Sequence, residues 1–480
     1  MVSRGATLDV GRHSTGQSRL HGVRLGPFTL APPPPPWMVW TVGGLLFFAG
    51  CGMGIETRNG ASVVSPATGP EDSADVALRE AAHHLIEREF PEGKARVEYA
   101  LSQHPGDPRG TFLLACIALE EKAWPEFDEA VAELNARLPD APEVAMLAAL
   151  AKARRGTQVP PTNAWTEFAD TWIALGRPDW SQTAVLSKID PFTEWGVTTR
   201  EDHESNDARK RDDRARWFEL IGSLSNREED RAWLIARVST VDEPADLRAA
   251  GFALLGSEKA RALANDVFRH RVETMSGPDP LESSIELIPL VTVGLDVPLT
   301  NAEISHLEAV VDRPFASKGW GDAYQRAYSA LSQHHIPSAR ALAFTYAVDS
   351  LNGPVPFDLQ QRVKATEPGL TAENRVRLGK ALWTLGERMA RGKTLVELLV
   401  GLSFQRQGAR LAANPEQLVA VDKAFEAARR TLRVSGGMTI EHWPLPSVAD
   451  AALEDQLKDE VAHYARLDPE YGRGSKQTPP

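Results

Sequence analysis

The sequence predicts an all-α protein: a solenoid of helix-turn-helix repeats that continues into a larger helical domain. Three observations carry this. Apolar residues recur at helical spacing in segment after segment. Residues 74–156 repeat with a 34-residue offset. No run of alternating β-branched residues is long enough for a sheet. The one strand-like stretch, Ile285 to Val297 (IELIPLVTVGLDV), contains Pro289, which has no N–H for a central ladder.

The offset shows first in the prolines, which pair as Pro105 with Pro139 and Pro108 with Pro142. Ala77, Thr111 and Ala145 align on it, as do Ala81, Ala115 and Ala149, Val97 and Val131, and Ala100 and Leu134. The pattern predicts helices at 75–89, 93–104, 109–122, 125–138 and 142–155. The turns within a pair fall near Pro91 and Pro125, and residues 105–108 and 139–142 form equivalent turns between pairs. Each pair cannot bury its own apolar face and must stack on a neighbour. A small residue at the crossing lets two backbones approach, and proline ends a helix because it lacks an N–H and clashes with the preceding turn. Ala81 and Ala115 are therefore expected at the same crossing, and Lys122 in solvent. A 34-residue unit with these features resembles the tetratricopeptide repeat, although the aromatic and glycine positions of that family's first helix are not filled. The resemblance implies a concave face that holds a peptide or another protein.

After a break at 156–162 (GTQVPPT), residues 163–470 read as an α-helical repeat-like or bundle domain. Helices are predicted at 164–176, 213–222, 227–238, 245–255, 257–274, 321–333, 338–351, 372–391, 394–413, 415–433 and 447–466. Asn226 with Glu229 reads as a capping box, and Asn414 as an N-cap with Pro415 at the first helical position. Thr371 with Asn374 is a further start, followed by an apolar set of Val376, Leu378, Leu382, Leu385 and Met389. Residues 471–480 are expected to be a disordered tail.

The amino-terminal end carries an address. Residues 1–50 have Arg4, Arg12, Arg19 and Arg24 against the single acid Asp9, then a 14-residue apolar run from Trp37 to Gly50. That run is too short to span a bilayer as a helix, which needs about 20 residues, and suits a signal peptide. It closes with Phe48-Ala49-Gly50-Cys51. Small residues before a cysteine at the end of such a run resemble the lipobox of bacterial lipoproteins. The resemblance implies diacylglycerol on the Cys51 thiol, cleavage before it and acylation of the new amine, for example by palmitate. The leader is longer than the family's and contains the run Pro32 to Pro36, which points to a true start further in, at Val23 or Leu25. Residues 51–73 are rich in Gly, Ser, Thr and Pro and are expected to be a flexible tether. Gly52 after the cysteine implies the outer membrane, facing the periplasm.

Charge narrows the partners. The chain of 480 residues carries 53 basic and 65 acidic side chains, a net −12. Removing residues 1–50 takes away four Arg and one Asp, which leaves 49 basic and 64 acidic residues, or −15. So acidic a body has no electrostatic footprint for nucleic acid. Anionic headgroups repel it too, so an acyl chain must hold it at a membrane. The two cysteines, Cys51 and Cys116, supply no disulfide framework once Cys51 is acylated.

No constellation reads as catalytic, and none implies a metal or cofactor. Gly392-Lys393-Thr394 matches the end of a phosphate-binding loop, but position 387 is Glu387 rather than glycine, and both flanks are helical. His83, His84, Glu87 and Glu89 lack zinc spacing, and His334-His335 sit at a helix end. The charge-alternating stretch Arg200 to Arg216 reads as a solvated linker. Trp165, Trp172 and Trp180, with Trp195, are dense enough either to fill a core or to bind a sugar or peptide. The sequence thus predicts a membrane-tethered, non-enzymatic scaffold for an unidentified protein or peptide in the cell envelope. The alternative is an enzyme acting on a cell-wall polymer, with a Trp-lined cleft in 160–470.

Overall fold

The computed structural model describes residues 73–156, 163–189, 212–223, 227–255, 258–275, 283–313, 319–336, 339–352, 355–436, 438, 440 and 443–468. Among these there are nineteen α-helices and no strand. The leader, Cys51, the tether, Trp195, Asn226 and the tail 471–480 lie outside the described residues. Among the described residues no helix is long and apolar enough to cross a membrane.

Helices α1 (Ser73–Ile86), α2 (Phe90–Gln103), α3 (Pro108–Glu121), α4 (Trp124–Arg137) and α5 (Pro142–Gly156) form the repeats, and α6 (Ala164–Ala174) pairs with α5. The 34-residue period is written in the backbone. Left-handed residues recur on it: Arg88 (φ 64°) with Lys122 (φ 59°), and Gly106 (φ 89°) with Asp140 (φ 67°). So do the bonds that close each turn. The Glu89 amide donates to His84 O at 2.8 Å, and the Ala123 amide to Ala118 O at 2.8 Å. These are the six-to-one bonds of a helix ending in a left-handed residue. The His104 and Leu138 amides likewise cap onto Ala100 O and Leu134 O. Pro91 and Pro125 fall within the first turn of α2 and α4, where a missing N–H costs nothing.

Ala81 and Ala115 are both fully buried, and the Ala81 carbonyl lies beside Gly93 where α1 and α2 cross. Ala145 and Ala149 do not follow: Ala145 is exposed and Ala149 half-buried, because α5 is the last repeat helix on the offset. Ala115→Val is expected to lower stability by about 1–3 kcal/mol, since a filled core resists added volume. Lys122→Ala should stay within about 0.5 kcal/mol, because the side chain is exposed and both residues carry the Cβ that strains the left-handed turn. Thermal melts of the two variants decide it, and equal midpoints would mean that the 34-residue phasing is wrong.

The second half comprises α7 (Asp213–Gly222), α8 (Glu228–Val238), α9 (Pro244–Leu255), α10 (Glu258–Met275), α11 (Asn301–Asp312), α12 (Trp320–Gln333), α13 (Ala339–Asn352), α14 (Val355–Thr366), α15 (Ala372–Met389), α16 (Leu395–Leu411) and α17 (Pro415–Gly436). Neighbours in sequence again pack as pairs, above all α12 with α13 and α15 with α16. Thr371 caps α15 through the Asn374 amide, and Asn414 accepts from the Gln417 amide at the start of α17.

Three expectations are corrected, and the strand-like stretch proves helical, in line with Pro289. Helices α11 and α14 lie where none was predicted; α11 opens on a Thr300/Glu303 capping box. The strand-like stretch is a 3-10 helix, Ser283–Leu290, followed by turns, with Pro289 inside it. The N-cap position of α8 is Arg227, without a side-chain cap bond, which puts Glu229 two residues past the cap and not three. Val376 is 41% exposed: it lies two residues before Leu378, about 200° round the helix from the buried set.

The chain then turns back. The single helix predicted at 447–466 is two, α18 (Pro446–Lys458) and α19 (Glu460–Ala465), parted at Asp459, whose side chain caps α19. α18 packs on α6 and also touches α1 and α12. Consequently one core holds buried residues from 74–189 together with Met438, Trp443, Leu445, Val448, Ala452 and Leu467. A second core spans residues 215–411, and a smaller one joins α16 to α17. Buried residues on both sides of the expected 156–163 boundary share the first of these cores.

Candidate functional site

The site begins with α3, which buries Phe112, Leu113, Ala115, Cys116, Ile117, Ala118 and Leu119, residues in every helical phase. A repeat helix bordering an open groove would leave one face in water; a helix apolar all round is buried. What covers it is the chain itself. Trp443 stands among three rings, with centroids 5.6 Å from Phe112, 5.2 Å from Phe168 and 5.1 Å from Trp180, all tilted or edge-on. Such geometries suit the ring quadrupole. Trp165 stacks on His463 at 4.2 Å. Burial holds the His463 imidazole down to about 4, so it packs neutral, with Asp455 at its Nδ1.

Four residues on, Ser447 makes the polar contact. Its hydroxyl donates to Glu120 Oε1 at 2.6 Å and its amide to Glu120 Oε2 at 3.2 Å. Arg154 Nη2 donates to the Ser447 hydroxyl at 2.7 Å, and its Nη1 to Glu120 Oε1 at 3.2 Å. Glu120 and Arg154 stand 34 residues apart, at equivalent places on α3 and α5. The repeat thus presents an acid and a base side by side to one hydroxyl. Asp450 closes the far end, 2.7 Å from Arg88 on the repeats and 2.6 Å from Arg340 on α13.

Of the residues singled out in the sequence, Trp165, Trp172 and Trp180 are all buried in this core. The Trp172 indole N–H donates to Pro178 O at 2.8 Å. They line neither of two open clefts. One cleft, of about 520 Å³, lies between the turn at 137–143 and residues 178–184; another, of about 410 Å³, lies over Phe127, Lys152 and Arg155. Cys116 is buried and free, its thiol pushed well up by burial. His84 bonds Glu89 at 2.7 Å, and His334 caps α12. Thr394, at the end of the loop-like Gly392-Lys393-Thr394, caps α16 in a box with Glu397. Among the described residues no three His, Cys, Asp or Glu side chains gather as a metal site.

Carboxylates with raised pKa do exist. Burial pushes Glu460 up to about 7, and it raises Glu397 and Asp349 as well. Glu460 accepts the Leu395 amide at 2.8 Å, so with Glu397 it serves the buried start of α16. A general acid must reach the proton it transfers, and none of the three lines either cleft.

Sequence reasoning missed Trp443, Ser447, Glu120 and Arg154. The available signal was the run Phe112 to Leu119, apolar in all phases, which demands a cover on both sides. No family model matches the chain, nor does any curated protein or solved structure.

Proposed function

We propose that the protein is a lipid-anchored, non-enzymatic helical-repeat scaffold of the bacterial cell envelope that holds a segment of a partner protein. One observation carries the binding half of this reading: the face made by α3, α5, α6 and Trp180 grips residues 443–447 through an aromatic box and a paired acid and base. Stacked repeats engage peptides by presenting such side chains along a continuous surface. The anchoring half rests on the sequence Phe48-Ala49-Gly50-Cys51 and the acidic body behind it.

Two measurements test it. Cys51→Ala is expected to move the protein from the membrane fraction to the soluble or unprocessed pool. Lipid chains contribute about 0.8 kcal/mol per buried CH₂, and the acidic body offers no substitute. An alanine variant still membrane-bound at the mature mass would refute the anchor. Cross-linking of the full-length protein in cells should capture a partner whose recovery falls with Arg154→Ala and not with Lys122→Ala. Equal recovery from both variants would refute binding at this face.

A further inference from the structure

We infer that residues 443–447, Trp-Pro-Leu-Pro-Ser, are an intramolecular ligand of the repeats, displaced by a partner protein that presents an aromatic-proline-aliphatic-proline-serine segment. This rests on the scaffold reading and names its ligand. The segment reaches the repeats through a turn and a helix start: the Leu445 amide turns back on Trp443 O, Leu445 itself is extended, and α18 begins at Pro446. Two prolines restrict the backbone before binding, which lowers the entropy lost on docking. The Trp443 ring is the buried anchor, the kind of side chain that dominates binding surfaces. Ser447 supplies the specificity: any residue without its hydroxyl loses the bonds to Glu120 Oε1 and from Arg154 Nη2.

The way the segment is held suits release. The Trp443 amide donates to Ile440 O, the Leu445 amide to Trp443 O and the Val448 amide to Leu445 O, all within the segment and its neighbours. The repeats grip it through side chains, with the Ser447 amide meeting the Glu120 carboxylate. Lifting it therefore breaks none of the backbone bonds that build the repeat helices. The fit is also incomplete. The indole nitrogens of Trp443, Trp180 and Trp165 are buried and have no hydrogen-bond partner. An unpaired buried donor weakens binding. A competitor that brings an acceptor to this box holds an advantage over the resident segment. Displacement would also unfasten Asp450 from Arg88 and Arg340, loosening the contact between the repeats and α13.

The test uses the full-length protein and a fluorescein-labelled synthetic peptide of residues 440–450. Trp443→Ala empties the box and is expected to bind the peptide at least tenfold more tightly than wild type. Adding Arg154→Gln should remove that gain, and a peptide with alanine for serine should bind at least tenfold more weakly. A helical Trp443→Ala chain that binds no better than wild type overturns the inference. Should Trp443→Ala lose its helical circular dichroism, Ser447→Ala, which keeps the ring, is expected to take up peptide above wild type, and no uptake there overturns it equally. The scaffold reading fails separately. A cellular partner still lost on Arg154→Ala, with no peptide uptake by either variant, would keep the scaffold and refute the internal ligand.

Discussion

Replacing Gly401 with valine is expected to lower stability by more than about 3 kcal/mol, above the usual cost of overpacking, because the obstructing neighbour is backbone and cannot rotate away. α15 and α16 touch main chain to main chain at two glycine pairs. A Cβ on Gly401 would sit 2.6 Å from the Gly386 carbonyl oxygen, and one on Gly386 2.7 Å from the Gln405 nitrogen. Two turns away, a Cβ on Gly379 would lie 2.9 Å from Gly408 O, and one on Gly408 2.7 Å from the Trp383 nitrogen. Real Cβ atoms essentially never come within 3.0 Å of such neighbours. Even Gly401→Ala should destabilise, although alanine gains about 1 kcal/mol of helix propensity. Gly369→Ala is the control, since nothing lies within 4 Å of its Cβ position. Thermal unfolding followed by circular dichroism should show the Gly401→Val midpoint down by roughly 10 °C and Gly369→Ala unchanged. A Gly401→Ala variant as stable as wild type would mean that the two helices are not in backbone contact. The start of α16 also receives Glu460 from the returning carboxy-terminal segment, so separating these helices should loosen that segment too.

These glycines show what a sequence conceals. Gly379 and Gly386 are seven apart on one helix, and Gly401 and Gly408 seven apart on the next. Each reads alone as a weak spot in a helical pattern. Only the pairing of α15 with α16 turns two weak spots into one seam. The helices themselves were legible because their apolar spacing is local, and the repeats because their prolines and alanines recur at a fixed offset. Helices α11 and α14 were not, although the Thr300/Glu303 box was a usable start signal. The candidate site was the least legible part. It joins Glu120 to Ser447 across 327 positions of chain, and periodicity has no term for such a distance. The tryptophans are dense in the sequence, and Trp165, Trp172 and Trp180 fill this core, yet their central ring, Trp443, lies far away in sequence. Cys51 rests on sequence alone, since residues 1–72 lie outside those described.

Arg362→Met is expected to cost about 3–5 kcal/mol, the range for breaking a buried ion pair by removing one partner. The Arg362 side chain is 1% exposed. Its Nε donates to Val297 O at 2.9 Å and its Nη2 to Pro298 O at 3.1 Å, while Nη1 reaches Leu290 O. Both ends of the fork meet Glu303, at 2.7 and 3.2 Å. One guanidinium therefore fixes the irregular stretch between the 3-10 helix and α11, where regular structure satisfies none of these carbonyls. Methionine fills the volume, removes this donor from three carbonyls and leaves the Glu303 carboxylate with only its Thr300 bonds. Arg362→Lys should fall between the two, because one ammonium cannot reproduce the planar fork. The pH dependence distinguishes the ion pair from packing. Burial pushes the Glu303 carboxyl up, but the Arg362 bonds and the Thr300 cap outweigh it and hold the group below the usual range. A depressed carboxyl stabilises the fold above its unfolded-state value and loses that contribution as pH falls through its folded value. The gap between wild type and Arg362→Met should thus be widest at neutral pH and narrow below about pH 4.5, near the ordinary glutamate value. Urea titrations at pH 7 and pH 3.5 measure it. A gap of equal size at both would mean that Arg362 acts through its bulk and its carbonyl bonds, and that the pairing with Glu303 adds nothing.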